Sequence, residues 1–359
     1  MAYTTINKSS LHFNTVTYTG DGTSPKARTG VGFQPDLVWS KTRGEARNHQ
    51  LIDSVRGADK TLQSNVSDAE GNQFSYGYLQ SFDSDGFTSI TGSTATDNWN
   101  KNTSTYVAWN WLGANGTASN SNGSITSTVS ANTTAGFSIV SYTGTGSAAT
   151  IGHGLGAVPK MFIVKRRDGA DSWYIFNSNL GSNDAYIVLD STNASSTSNG
   201  STLWNSTAPT NQVFSLGTNG VVNGSGRTYV AYCFAEKTGY SKFGSYTGNG
   251  NADGSFIYLG FKPAWVMIKS TSSGSNKSWS IFDTTRQTFN PNVNKTLYAN
   301  RNEPEGRRGS GSTSSTIPAI DMLSNGFKCR VGNDEVNTTN DYIYMAFGQS
   351  LVGSNNVPC

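Results

Sequence analysis

The sequence predicts an all-β fold of three tandem antiparallel β-sandwich domains, of jelly-roll type, generated by an internal repeat. Three observations predict it. A Tyr-Thr-Gly-x-Gly stretch occurs at Tyr18, Tyr142 and Tyr246, each followed seventeen residues on by a proline (Pro35, Pro159, Pro263) and six later by a lysine (Lys41, Lys165, Lys269). The apolar pattern inside each copy has period two rather than 3.6, and no stretch of ten residues reads as an amphipathic helix. The chain is rich in Gly, Ser, Thr and Asn, with 14% charged residues, yet it keeps 11% aromatics, which separates a turn-rich β protein from a disordered one.

Taken in order, residues 1–12 read as a polar N-terminal arm, 13–113 as the first repeat, and 114–136 as a Ser/Asn/Gly-rich linker or inserted edge hairpin. The second repeat spans 137–239 and the third 240–350, abutting so closely that these two are expected to be held more rigidly than the first two; 351–359 form a tail. Each repeat opens on a strand ending at its tyrosine. A second, more buried strand follows the proline (Leu37-Val38-Trp39, Met161-Phe162-Ile163-Val164, Trp265-Val266-Met267-Ile268), where a missing N–H is tolerated at the strand entrance. A third carries His49, Trp173 or Trp279 ahead of an apolar pair and Asp53, Asn177 or Asp283. Asp85-Gly86, Asn219-Gly220 and Asn325-Gly326 signal tight hairpins, and the closing strands read as Tyr106-Val107-Ala108-Trp109, Tyr229-Val230-Ala231-Tyr232 and Tyr344-Met345-Ala346-Phe347.

Net charge is +3, without the dense basic run that a nucleic-acid partner would demand. No eighteen apolar residues run together and residues 1–13 lack the pattern of a signal peptide, so neither membrane insertion nor Sec-type export is expected. Cys233 and Cys329 lie in alternating apolar segments and are expected in the core, with Cys359 exposed; their spacing excludes a zinc knuckle or disulfide framework. His12, His49 and His153 occupy non-equivalent places, which argues against a zinc site. Asp83-Ser84-Asp85-Gly86 lacks the glutamate of a calcium loop and reads as a turn. No metal or other cofactor is expected.

Positions that recur in all three copies serve something all three share, the scaffold, and this covers the tyrosines, turn glycines, prolines and lysines. Asp53 with Arg56 and Asp283 with Arg286 read as exposed pairs of about 0–1 kcal/mol, with Leu180 at the arginine position of the second repeat. No nucleophile elbow, Cys/His pair or recurring acid pair is found, so no catalytic residue is assigned; Glu303-Pro304-Glu305 and Asp334-Glu335 read as solvated. Private function should reside in divergent loops: Ser64 to Tyr78, Asp97 to Thr103, Asn193 to Pro209 and Asn300 to Ser315. From these come the candidate glycan- or partner-binding residues Trp99, Trp204, Arg301, Arg307 and Arg308, the tryptophans as stacking platforms or as lids over the local core.

Gly32-Phe33-Gln34-Pro35-Asp36-Leu37-Val38-Trp39, Ile151-Gly152-His153-Gly154-Leu155-Gly156 and Asn223-Gly224-Ser225-Gly226-Arg227-Thr228-Tyr229-Val230-Ala231-Tyr232, with the Tyr-Thr-Gly-x-Gly openings, resemble repeats of virion proteins of tailed bacteriophages, notably marine ones, of tail-fibre or minor-tail type. The resemblance covers about residues 13–350 and implies concanavalin-like lectin repeats, a virion location after synthesis in the host cytoplasm, and a non-enzymatic structural role. Its expected partners are other virion proteins, copies of itself (a trimer) and host cell-surface glycan. The sequence has no N-terminal coiled-coil shaft, which keeps a capsid-decorating protein as the alternative and a glycan-degrading tail enzyme as a second one.

Overall fold

The computed structural model describes residues 4–6, 8–272, 277–291, 295–306, 319–332 and 335–349. All its named strand pairings are antiparallel, so the all-β expectation holds. The first repeat contributes β1 (Phe13–Thr19), β2 (Lys26–Arg28), β3 (Leu37–Thr42), β4 (Gln50–Asp53), β5 (Tyr78–Asp83), β6 (Gly86–Ile90) and β7 (Thr105–Trp111). A short hairpin, β8 (Ala118–Asn120) and β9 (Ser127–Asn132), precedes the second, which contains β10 (Phe137–Thr143), β11 (Ala149–Gly152), β12 (Met161–Arg166), β13 (Tyr174–Asn177), β14 (Ile187–Val188), β15 (Val213–Leu216) and β16 (Thr228–Phe234). The third contains β17 (Ser241–Thr247), β18 (Phe256–Tyr258), β19 (Pro263–Ser270), β20 (Ser280–Asp283), β21 (Leu297–Tyr298), β22 (Ile320–Leu323), β23 (Gly326–Cys329) and β24 (Asp341–Gly348).

Each repeat builds the same large sheet: β1-β7-β3-β4, then β10-β16-β12-β13-β14, then β17-β24-β19-β20-β21. A small sheet covers one face of each, β2-β6-β5, β11-β15 and β18-β23-β22. In the second repeat a helical turn, α1 (Gly200–Trp204), supplies Leu203 and Trp204 to the apolar layer, where the other repeats have a third small-sheet strand. Alternate residues of the central strands face this local layer: Val38 and Ala108 with Leu79 and Phe87, Phe162 and Val164 with Phe214, Val266 and Ile268 with Phe327.

The other face is not solvated. Leu37 and Trp39 of β3, Met161 and Ile163 of β12, and Trp265 and Met267 of β19 all enter one apolar cluster built jointly by the three repeats. That is why β3 is buried at all six positions: one half of its side chains serves its own repeat and the other half the shared core. Trp111 packs edge-on against Trp265 and Phe347, which are tilted against each other, with all three centroids 5.8–5.9 Å apart. The first two repeats are thus joined through the same core as the last two.

Several sequence expectations are corrected here. Of the two readings of residues 114–136, the inserted edge hairpin holds and the linker does not: β8 pairs with β9, and β9 pairs with β10 to extend the second repeat's large sheet. The arm folds back: Ile6 lies in the shared core and Ser9 donates to the Gln349 carbonyl at 3.0 Å. Asn219-Gly220 is no hairpin; Asn219 caps the one-turn helix α2 (Gly220–Asn223) by accepting from the Val221 N–H. The third closing strand aligns on Tyr342 rather than Tyr344, since Tyr246 pairs with Tyr342 as Tyr18 does with Tyr106 and Tyr142 with Tyr229. Tyr344 then stands where the other repeats have Ala108 and Ala231. Gly244 opposite makes room for it: a Cβ there would lie 2.4 Å from the Tyr344 hydroxyl.

Candidate functional site

The recurring tyrosines and glycines hold one turn three times over. Tyr18, Tyr142 and Tyr246 stack on Tyr106, Tyr229 and Tyr342 at 5.0, 5.2 and 5.0 Å. A wholly buried asparagine, Asn100, Asn223 or Asn337, accepts from the backbone N–H of Asp21, Thr145 or Asn249 and donates to nearby carbonyls. Gly20, Gly144 and Gly248 pass so close to the following backbone that a Cβ would meet a carbonyl oxygen at 2.0–2.5 Å. These glycines are scaffold, as expected.

The recurring lysines do more than end a strand. They lie on the shared-core face, each at most 1% exposed, where the repeats meet in a closed ring of seams. Lys165 donates to the Ser67 carbonyl of the first repeat and Lys269 to the Thr192 carbonyl of the second, at 3.0 and 3.2 Å. Lys41 bonds its own strand end, the Thr42 and Glu45 carbonyls, beside Glu303 and Glu305 of the third repeat. Burial pushes the three ammonium groups down, to about 7 for Lys41 and about 8 for Lys165 and Lys269. Trp173 Nε1 donates to the Gln63 carbonyl, Trp279 Nε1 to the Val188 carbonyl, and His49 Nε2 meets the Tyr298 carbonyl, all at 2.9–3.0 Å. Asn65, Asp190 and Asn300 accept in turn from the backbone N–H groups of His49, Trp173 and Trp279. The second repeat leans on the first, the third on the second, and the first on the third.

The Asp/Arg pairs read as exposed are wholly buried in this ring. Arg56 meets Asp53 at 2.5 Å and Arg286 meets Asp283 at 2.6 Å. Asp53 also accepts from the Tyr232 hydroxyl of the second repeat, and Asp283 from Trp109 Nε1 of the first. Two further expectations fail for the same reason. Glu305 is no solvated carboxylate but pairs with Arg43 across the third-to-first seam, and the Glu335 carboxylate accepts from the buried Ser278 N–H.

Of the candidate binding residues, Trp99 and Trp204 are fully buried, edge-on to Phe87 and Phe162, so they are lids over the local core and cannot stack on a sugar. The polar residues around Trp99 are spent on its turn: Asp97 accepts from the N–H groups of Trp99 and Asn100. Arg307 and Arg308 lie outside the described residues. Arg301 is half-buried, 3.6 Å from Glu303, at a depression of about 540 Å³ to which all three repeats contribute, through Asn65, Asp190 and Asn302 among others. A second depression of about 390 Å³ shares Asn48 with it and continues over the first repeat, lined by Arg47, Gln63, Asp68, Gln73, Tyr76 and Asn98. Asn48 and Asn65 are hydrogen-bonded at 2.8 Å, and Asn48 to Gln63 at 3.0 Å, so the two form one continuous polar surface.

A family described as a domain of unknown function, DUF7483, matches residues 8–350. The chain belongs to this family. The DUF7483 match runs through all three repeats and both depressions. No curated protein and no solved structure matches the chain. Among the described residues no helix is long and apolar enough to cross a membrane, and no cluster of His, Cys, Asp and Glu could hold a metal ion.

Sequence reasoning missed the buried asparagines because their distance from the tyrosine varies; counting back from the closing-strand tyrosine, by five or six residues, would have found them. It missed Tyr76 and Asn98 as individuals while naming both loops that carry them.

Proposed function

We propose that the chain is a non-enzymatic structural protein of a bacteriophage virion, tail-associated, serving as a fibre, adaptor or adhesion element, with each repeat a β-sandwich of jelly-roll, concanavalin-like type. One observation carries the reading: the charged residues that recur are consumed in the ring of seams, while divergent loops of the first and third repeats, through Asn65, Asp68, Tyr76, Asn98 and Arg301, line one polar surface. A rigid frame presenting private loops is the construction of a binding scaffold. The phage-type repeats of the sequence supply the setting, and neighbouring virion proteins and host-surface glycan are the partners proposed. A single chain that closes three repeats around one core already has the pseudo-threefold form that separate chains would give a fibre.

Electron microscopy of purified virions with gold-conjugated antibody against the chain tests this. Gold on the tail or its fibres is the expected result. Gold spread over the capsid would make the chain a decoration protein, and unlabelled virions would overturn both.

A further inference from the structure

We infer that the depression beside Tyr76 is a saccharide-binding site for neutral, rather than anionic, sugars. The inference rests on the adhesion reading for its biological setting but not for its chemistry. Tyr76 is 43% exposed at the depression's edge, so an aromatic face is open to the C–H face of a pyranose ring. Its carbonyl accepts from the Asn98 N–H at 2.7 Å, which ties the two loops that form the walls.

Asn98 is the decisive residue. It is only 7% exposed, yet its side-chain amide makes no hydrogen bond among the described residues, and it lines this depression. Its amide atoms nonetheless reach solvent in the depression, so they are open to a ligand's hydroxyl groups. Asp68 is exposed and lines the same depression, and its carboxylate has no hydrogen-bond partner among the described residues. An amide and a carboxylate facing one cleft, with the Gln73 amide, offer both acceptors and donors, the pairing that vicinal hydroxyl groups satisfy.

Charge selects among sugars. Arg47, the one cation of the lining, is engaged by Glu45 at 2.8 Å, so the exposed charge of the lining is the Asp68 carboxylate, with the buried Lys165 ammonium behind it. A sialic acid or phosphosugar would be repelled by that carboxylate, whereas a neutral hexose is not. At about 390 Å³ the depression falls in the range of small-ligand sites and suits one or two sugar rings.

The test is saturation-transfer NMR on the full chain with a panel of neutral methyl hexosides and their disaccharides, and with methyl sialoside and inorganic phosphate as anionic probes. At least one neutral sugar is expected to receive saturation, with affinity reduced about tenfold in both Tyr76→Ala and Asp68→Asn and unchanged in Tyr258→Ala, an exposed aromatic in the third repeat. Asp68→Asn alters a surface side chain and keeps the test valid if Tyr76→Ala fails to fold. No transfer to any neutral sugar, transfer to the anions alone, or binding indifferent to Asp68→Asn would overturn the inference. A chain found on the tail that binds no sugar would sink this site and leave the adhesion reading standing; sugar binding by a chain missing from virions would do the reverse.

Discussion

The seam between the first and second repeats and the seam between the second and third do the same job with opposite chemistry. In the first, the buried Asp53–Arg56 pair accepts and donates to Tyr232, and Glu70 bridges Arg56 to Arg167 at 3.0 and 2.9 Å. The second has Asn177 and Leu180 at the positions of Asp53 and Arg56, and Ser195 bonds the backbone of Thr271 where Glu70 bonds that of Arg167. Both seams bury a tryptophan donating to a neighbouring carbonyl. The difference teaches that the shared fold requires the hydrogen bonds and the apolar contact, while the charges are one solution among two. A buried ion pair often stabilises no more than an apolar pair of the same shape, but removing one partner strands the other.

That comparison can be broken most sharply at Arg56. Arg56→Ala leaves Asp53 buried and unpaired and is expected to lower the free energy of unfolding in urea by about 3–5 kcal/mol, while Leu180→Ala at the equivalent place, only partly buried, costs about 1–2 kcal/mol. Equal losses would mean that the two seams do not differ as described. Importing the neutral solution sharpens the point: the double variant Asp53→Asn with Arg56→Leu should recover at least about 2 kcal/mol of the single variant's loss, read from the same urea midpoints. A double variant as weak as Arg56→Ala would show that the first seam depends on its charges.

The third seam, from the third repeat to the first, is set apart by His49 in place of a tryptophan. Burial holds its imidazole well below the ordinary histidine value, with Lys41 and Arg286 also opposing protonation. The unfolded chain therefore binds a proton at higher pH than the folded one, and stability is lost as pH falls below about 6.5. His49→Gln should flatten this acid limb in denaturant midpoints measured from pH 7 to 5; an unchanged limb would place the acid sensitivity elsewhere.

The lysines give the opposite limb. Because Lys41, Lys165 and Lys269 release their protons at about 7–8 when folded and near 10.5 when unfolded, stability should rise from pH 7 to about 9.5. It should fall again above pH 10, where the unfolded chain ionises tyrosines that burial keeps neutral at Tyr142, Tyr232 and Tyr246. Lys269→Met, on the seam that lacks an Asp/Arg pair, should shallow the rise, and a profile flat between pH 7 and 9.5 would contradict these buried ammonium groups. Smallest is Ser195→Ala, which removes one side-chain bond at 3.1 Å and should cost about 0.5–1.5 kcal/mol in the same urea assay.

Much of the strand frame was legible because it is local. Tyr18, Pro35 and Lys41 sit at spacings fixed by a strand, a turn and a second strand, so their recurrence survived wherever loops later in each repeat diverged. The seams were not legible. A period-two pattern announces one buried face, and Leu37 to Thr42 is buried on both, so nothing in the residues distinguished a shared core from three separate ones. Asp53 and Arg56, three apart, look alike whether exposed or buried, and only the tertiary partner Tyr232 decides it. Trp99 and Trp204 misled because their polar neighbours cap turns instead of facing water. The candidate site was legible as a loop, Ser64 to Tyr78, but Asn98 comes from another loop that only the fold brings beside it.

The central claim is that three repeats fold as one body around one core. Differential scanning calorimetry of the full chain tests it most directly. A single transition whose van't Hoff enthalpy equals the calorimetric enthalpy is the expected result. Separate transitions, or a van't Hoff enthalpy near one third of the calorimetric value, would mean that the repeats melt as independent domains and would contradict the shared core.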